Sequence, residues 1–256
     1  MTEAVLVQRH GAVASVIMNR PDRRNALSPE LYLGLSKTVA ALQEDPEVRA
    51  LVLTGGPHFC AGGDIGGLEA PGGLEFRREM LKGQQAVRSL IGGRLPVIAA
   101  VEGNAYGAGL SLAMACDFVV ADENTAFCAV FPRLGLVPDY GLLWSLPQRV
   151  GIAKAREMMM FGEVVRGQRA LDCKLIDRLV PIGTVQETAL AMAQQLASAA
   201  PGTIATIKAA LSRMPVSLDN TLAWEADTQA VLAHSEDFAE GLRAFREKRP
   251  PTFNNR

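Results

Sequence analysis

Hydrophobic positions along the chain change period repeatedly. Residues 5 to 8 and 12 to 18 are two runs rich in β-branched side chains, separated by a turn around His10 and Gly11, and they predict an N-terminal hairpin. Ser28, Pro29 and Glu30 form a helix start, since a hydroxyl cap, a proline at the first helical position and an early acid all suit that terminus. Leu31, Leu35, Val39 and Leu42 then recur at helical spacing until Asp45-Pro46 ends the element. ALVLTG at 50 to 55 reads as a short strand buried on both faces, running into glycine-rich FCAGGDIGG.

A glycine-rich segment with one proline, 66 to 75, predicts a mobile loop before a polar helix near 75 to 91. PVIAAV at 96 to 101 is a second buried strand and feeds EGNAYGAG. LSLAMAC at 110 to 116 is apolar all round, as a short buried helix would be. DFVVAD and a run near 125 to 130 predict further strands. FPRLGLVPDYGLLWSLPQRVG reads as a loop into a helix that leaves again at Pro147, and from 184 onward the pattern is mainly helical. Strands and helices alternate to about residue 180, so the expected class is α/β with a largely parallel sheet and a C-terminal helical region. No convincing internal repeat is visible in the sequence.

Composition narrows the function classes. The 256 residues are 48% hydrophobic and 21% charged, which suits a well-buried core. A formal charge of −1 offers no field for nucleic acid or an anionic membrane. No stretch reaches the roughly 18 apolar residues of a membrane span, and MTEAVLVQRHG lacks a secretory pattern, so a cytoplasmic location is expected. Cys60, Cys116, Cys128 and Cys173 lack the paired spacing of a zinc site or disulfide framework and read as reduced small hydrophobes; no metal is expected.

Two places share one design, FCAGGD at 59 to 64 and YGAGLS at 106 to 111: a buried strand, a glycine turn, then a helix start. Leading N–H groups of a helix lack intrahelical partners, and the dipole there is positive, so each turn offers donors to an anionic oxygen. Two such donors from separate loops would make an oxyanion hole. The same glycines also suit tight turns or close helix packing alone. A dinucleotide site fails, because neither GGDIGG nor GNAYGAG has G-x-G-x-x-G spacing. Ser111 and Cys60 are weak candidate nucleophiles, since of His10, His58 and His234 only His58 falls near a glycine turn in sequence.

The series NRPDRRNAL, FCAGGD, VEGNAYGAGLSLAMACD, PRLGLVPD and EGLRAFREKRPPTF resembles the crotonase superfamily, the enoyl-CoA hydratases and isomerases, from near residue 5 to the C-terminus. The resemblance implies a crotonase (ClpP-like) fold: a repeated ββα core over 1–195 and a C-terminal helical trimerisation region over 196–256. It implies an acyl-CoA thioester as partner, with coenzyme A part of the substrate and no permanently bound cofactor, and a homotrimer or dimer of trimers. By resemblance, the amides of Gly63 and Ala108 bind the thioester oxygen. Arg23, Ala26 and Leu27 line the CoA path, Ala61, Asp64 and Ile65 border the adenine pocket, and Phe245 and Lys248 touch CoA, often that of a neighbouring subunit. Arg243, Arg246, Lys248 and Arg249 could meet the CoA phosphates, or form a solvated helix face.

Hydration in this family uses two glutamates, and the motifs place Ser111 and Phe131 at those positions. One acid remains, Asp139, at a position that resembles the aspartate of phenylacetate-pathway type isomerases. Phe131, Val137 and Leu142 would give it an apolar surround that strengthens it as a base, although an aspartate at this point is also a good helix N-cap. Tyr106, Ser111, Phe131 and Leu142 are expected at the acyl pocket, with Tyr106 leaning to the core and Trp144 to packing with Leu142, Leu143 and Leu146. The loop at 66 to 75 and the helix after it would shape that pocket. The expected activity is a double-bond shift in an unsaturated acyl-CoA. The alternatives are an enoyl-CoA hydratase of fatty-acid β-oxidation and a non-catalytic acyl-CoA binder.

Overall fold

In a computed structural model, residues 3–64, 72–213 and 217–254 are described. Ile65 and most of the glycine-rich loop, 66 to 71, lie outside the described residues.

The hairpin forms as β1 (Val5–His10) and β2 (Val13–Met18), antiparallel with Val5 opposite Met18. β3 (Ala50–Thr54), β4 (Val97–Val101), β6 (Phe118–Asp122) and β9 (Arg178–Val180) then add in parallel, giving a six-stranded sheet in the order β1-β2-β3-β4-β6-β9. Alternate residues of these strands divide between two cores, as the period of two requires. Ala14, Val16, Leu51, Leu53, Val97, Ala99 and Val119 face one apolar cluster, where α1 (Pro29–Glu44) and α2 (Gly73–Gly92) cover the sheet. Val13, Ala50, Val52, Ile98 and Val120 face the other, against Val185, Ala189 and Ala193 of α6 (Val185–Ala197). Strands buried on both sides explain the continuous apolar runs at 50 to 54 and 97 to 101. A smaller three-stranded sheet carries β5 (Asn104–Tyr106), β7 (Ala126–Cys128) and β8 (Val164–Arg166).

Ser28 caps α1 as expected, its hydroxyl accepting from the Leu31 N–H at 3.4 Å. The short apolar helix is α3 (Ala108–Met114), buried along its whole length. One expectation is corrected: Pro147 does not end its helix. α4 runs from Leu142 to Phe161 through Pro147, and its non-helical residue is Gly151, at φ 76° and ψ 158°. Pro147 is the sixth residue of the helix, so the Leu143 carbonyl loses its intrahelical donor there but the helix continues; Gly151 adopts at no steric cost a conformation other residues avoid. α5 (Gly167–Asp172) leads to β9, and beyond α6 come α7 (Pro201–Leu211), α8 (Leu218–Leu232) and α9 (Glu236–Glu247). Lys208 is the buried residue of α7, and α8 has none, so these two helices add little to the core. Among the described residues no helix is long and apolar enough to cross a membrane, and no group of three or more His, Cys, Asp or Glu could hold a metal.

Candidate active site

Because β3 and β4 are parallel neighbours, the chain leaves both at the same sheet edge, which is where open α/β sheets bind ligands. The glycine turns at 59 to 64 and 102 to 107 therefore meet. Phe59 and Cys60 N–H groups donate to the carbonyls of Glu102 and Asn104, both at 2.9 Å, and Tyr106 N–H returns to the Cys60 carbonyl at 3.1 Å. Contact is closest at the glycines. A Cβ on Gly62, where φ is +105°, would stand 3.0 Å from the Tyr106 carbonyl, and one on Gly109 would overlap the Cys60 backbone. Side chains here would force the turns apart.

The direction of each amide follows from peptide planarity. Gly62 C=O accepts from Leu27 N–H at 2.7 Å, and Asp64 N–H donates to Leu27 C=O at 3.2 Å. The Gly62–Gly63 peptide is trans, so the Gly63 N–H points away from Leu27. Likewise Gly107 C=O accepts from Ser111 N–H at 3.1 Å inside α3, which turns the Ala108 N–H out of the helix end. Both amides thus leave the hydrogen-bonded edges of their own segments.

Asp139 lies between a 3₁₀ turn (Phe131–Leu134) and α4. Burial pushes its carboxyl up from the ordinary aspartate value of 3.8 to about 7, opposed in part by its own backbone N–H and by the Ser111 hydroxyl. Its Oδ1 is buried and has no hydrogen-bond partner. The N-cap alternative is not what the chain adopts. Gly141 is the cap residue of α4, no side chain caps that end, and Leu142 N–H bonds the backbone carbonyl of Asp139 at 3.0 Å. Ser111, in the first turn of α3, is fully buried, and its one hydroxyl proton serves either the acid or Gly107 C=O at 3.2 Å, not both at once. Phe131 (4% exposed) and Leu142 are buried beside this point, and a Cβ on Gly107 would reach the Phe131 ring at 4.0 Å.

Other expectations divide. Leu27 is buried, Ala26, Ala61 and Asp64 are half-buried and Arg23 is exposed, all on the segments joined by the Leu27–Gly63 bridge. Tyr106 is half-buried rather than in the core. Val137 is 75% exposed and so lies outside the apolar surround expected of it, because the chain is exposed at 136 and 137 and turns inward only from Pro138 to Tyr140. Trp144 is likewise 43% exposed rather than packed. Cys60 is no nucleophile: burial pushes its thiol up to about 12. Phe245 and Lys248 stand exposed on α9, and the chain after that helix is tied at the opposite sheet edge, where Arg49, just before β3, donates to the Phe253 carbonyl at 2.7 Å. Arg243 and Arg249 are engaged by Glu240.

Sequence reasoning passed over Asn25. Fully buried at φ 53°, it donates through Nδ2 to the carbonyls of Gly55 (2.9 Å) and His58 (2.6 Å) and accepts from Arg20 N–H at 2.7 Å, fastening the 20 to 27 segment to the first glycine turn. Arg20 also pairs with Asp64 at 2.9 Å. A buried asparagine amid arginines was the available signal, since Asn tolerates positive φ.

A family model described as enoyl-CoA hydratase/isomerase matches residues 8–256. A probable enoyl-CoA hydratase of Rhodobacter capsulatus is 40% identical over 95% of each chain. The 1,2-epoxyphenylacetyl-CoA isomerase of Escherichia coli is 33% identical over the whole of both. The crystal structure of a putative enoyl-CoA hydratase from Streptomyces coelicolor A3(2) superposes with a TM-score of 0.93 at 38% identity, covering 99% of this chain and 94% of that one.

Proposed function

This chain belongs to the enoyl-CoA hydratase/isomerase family, has the crotonase fold, and acts on acyl-CoA thioesters as that family does; from this we propose that it shifts a double bond within an unsaturated acyl-CoA. The observation that carries the reading is the carboxyl of Asp139, pushed up to about 7 by burial and with Oδ1 buried and unpartnered, beside the helix whose leading amide is Ala108.

The chemistry needs little more. Gly63 and Ala108 N–H groups donate to the thioester carbonyl oxygen, and they matter most as negative charge moves onto it. Asp139 as carboxylate takes a proton from a carbon made acidic by conjugation with that carbonyl, and the electron pair left behind passes through the chain to the oxygen as a dienolate. The resulting carboxylic acid returns the proton at another carbon and the thioester re-forms, so nothing is consumed. A group with pKa near the working pH serves both as base and as acid.

Hydration asks for two proton-transfer groups around one water. Ser111 and Phe131 stand where the resemblance puts the glutamates, and the buried Phe131 ring offers a water no hydrogen bond. CoA would lie along Arg23, Ala26, Leu27, Ala61 and Asp64. Leu218, Leu222, Trp224 and Val231 of α8 and Ile207 and Leu211 of α7 are exposed apolar side chains, which supports a trimer in which Phe245 and Lys248 reach a neighbour's CoA.

The test is incubation with a 3-enoyl-CoA in deuterated buffer. Migration with deuterium incorporation is expected, and both should fall to background in Asp139→Asn. Equal incorporation in wild type and variant would overturn the proposal. Steady loss of the conjugated absorbance of crotonyl-CoA would put a hydratase in its place, and ligand binding without any proton exchange would indicate a carrier.

A further inference from the structure

The residue after Asp139 is unusual in its backbone and its surroundings. Tyr140 has φ 46°, a left-handed conformation that disfavours a large side chain, yet its ring is 4% exposed. It lies against α2. A Cβ added to Gly83 would overlap the Tyr140 hydroxyl and stand 2.7 and 2.8 Å from ring atoms Cε1 and Cζ, so this ring fits here because residue 83 has no side chain. One turn along α2, a Cβ on Gly141 would meet Val87 at 3.5 Å. Tyr32 of α1, whose hydroxyl bonds Glu79 one turn before Gly83 on α2, is itself buried. The 139 to 141 segment is thus wedged into α2, and the space behind the acid is filled by a phenol.

We propose that Tyr140, seated on Gly83, is the end wall of the acyl pocket and restricts the protein to short acyl groups. The inference rests on the acyl-CoA reading above and adds to it a limit on substrate length. Carbons reached by Asp139 must lie within a bond or two of its carboxyl, so an acyl chain continuing past them meets the next residue inward. Gly83, against the ring, and Val87, against Gly141, both belong to α2, so the wall is backed by helix rather than loop and does not move aside for a longer chain. Removing the ring opens space against α2 at Gly83, and each methylene that enters it should gain about fourfold in affinity, the discrimination a buried CH₂ supplies.

The experiment measures dissociation constants for saturated butanoyl-, hexanoyl-, octanoyl- and decanoyl-CoA, with free CoA as reference, on wild type, Tyr140→Gly and Tyr140→Phe. Glycine suits φ 46° and so relieves the backbone while removing the ring. Wild type should bind butanoyl-CoA at least as well as octanoyl-CoA. In Tyr140→Gly the ratio should move toward octanoyl-CoA by tenfold or more, and in Tyr140→Phe it should stay. Adding Gly83→Leu to Tyr140→Gly refills the space from α2 and should return the ratio toward that of wild type, a reversal that a mere loss of folding would not give. A butanoyl-to-octanoyl ratio within twofold of wild type in a Tyr140→Gly protein that still binds butanoyl-CoA overturns the wall while leaving the acyl-CoA reading intact. If wild type binds no acyl-CoA of any length more tightly than free CoA, the thioester reading itself fails and takes this inference with it.

Discussion

Asp139→Asn should make the protein more stable at alkaline pH while removing its activity. The native state holds the Asp139 proton more tightly than the unfolded chain does, with a pKa of about 7 against 3.8. Wild type therefore loses stability as pH rises from about 3.8 to about 7, because the buried carboxyl must give up its proton in place. Asparagine has nearly the same shape and never ionises. Between pH 5 and pH 7 about two units of that shift are traversed, and at 1.36 kcal/mol per unit the ceiling is about 2.7 kcal/mol. The carboxyl is not wholly enclosed and water relieves part of the penalty, so we take half, about 1.4 kcal/mol.

For a chain of this length that corresponds to roughly 3–6 °C in melting temperature. The assay is thermal unfolding of both proteins at pH 5 and pH 8, at one protein concentration so that any subunit association is held fixed. The variant's advantage should grow by that amount between the two pH values, with isomerisation lost throughout. In wild type the rate should rise with pH through about 7 as the base ionises. An advantage equal at both pH values would show that Asp139 is not held protonated by burial, and the basis for its chemistry would go with it.

Two further outcomes follow from particular contacts. Ala108→Pro removes one N–H at the first position of α3, where proline suits the helix, so kcat should fall about 10²–10³-fold with the melting temperature little changed; steady-state kinetics beside a melting curve check it. Lys208→Met strips the ammonium that lies 2.8 Å from the Leu95 carbonyl and 2.5 Å from Asp117, leaving a part-buried acid unpaired, and chemical denaturation should show a loss of about 3 kcal/mol.

Much of the architecture was legible in the sequence because short-range patterns determine it. Runs such as VIAAV are short, β-branched and apolar without alternation, as a strand covered on both faces requires, and Ser28-Pro29-Glu30 satisfies a helix start by local chemistry alone. Where two local signals compete, pattern fails. Pro147 suggests an end to α4, but the helix passes through it with one backbone bond fewer, and the conformational break falls at Gly151 instead. At Asp139 the cap and the acid are both consistent with Pro-Asp-Tyr-Gly; only the fold decides, by giving the cap position to Gly141.

The site divides along the same line. Its glycine turns are visible because a strand, a turn and a helix start are consecutive in the chain, and their convergence follows once β3 and β4 are known to be parallel neighbours. The basicity of Asp139 is not a property of its neighbours in sequence. It arises from burial by elements that the fold collects, against the opposing pull of the Ser111 hydroxyl, and from the absence of any donor to Oδ1. The contact between Gly83 and Tyr140 is less visible still, since neither residue means anything without the other: a glycine in a helix reads as a weak point, and a tyrosine beside an acid as an ordinary aromatic. A glycine that weakens α2 by roughly 1 kcal/mol relative to alanine must be compensated by what it admits. Here it admits the Tyr140 ring, which the left-handed backbone at residue 140 directs against α2 beside the acid.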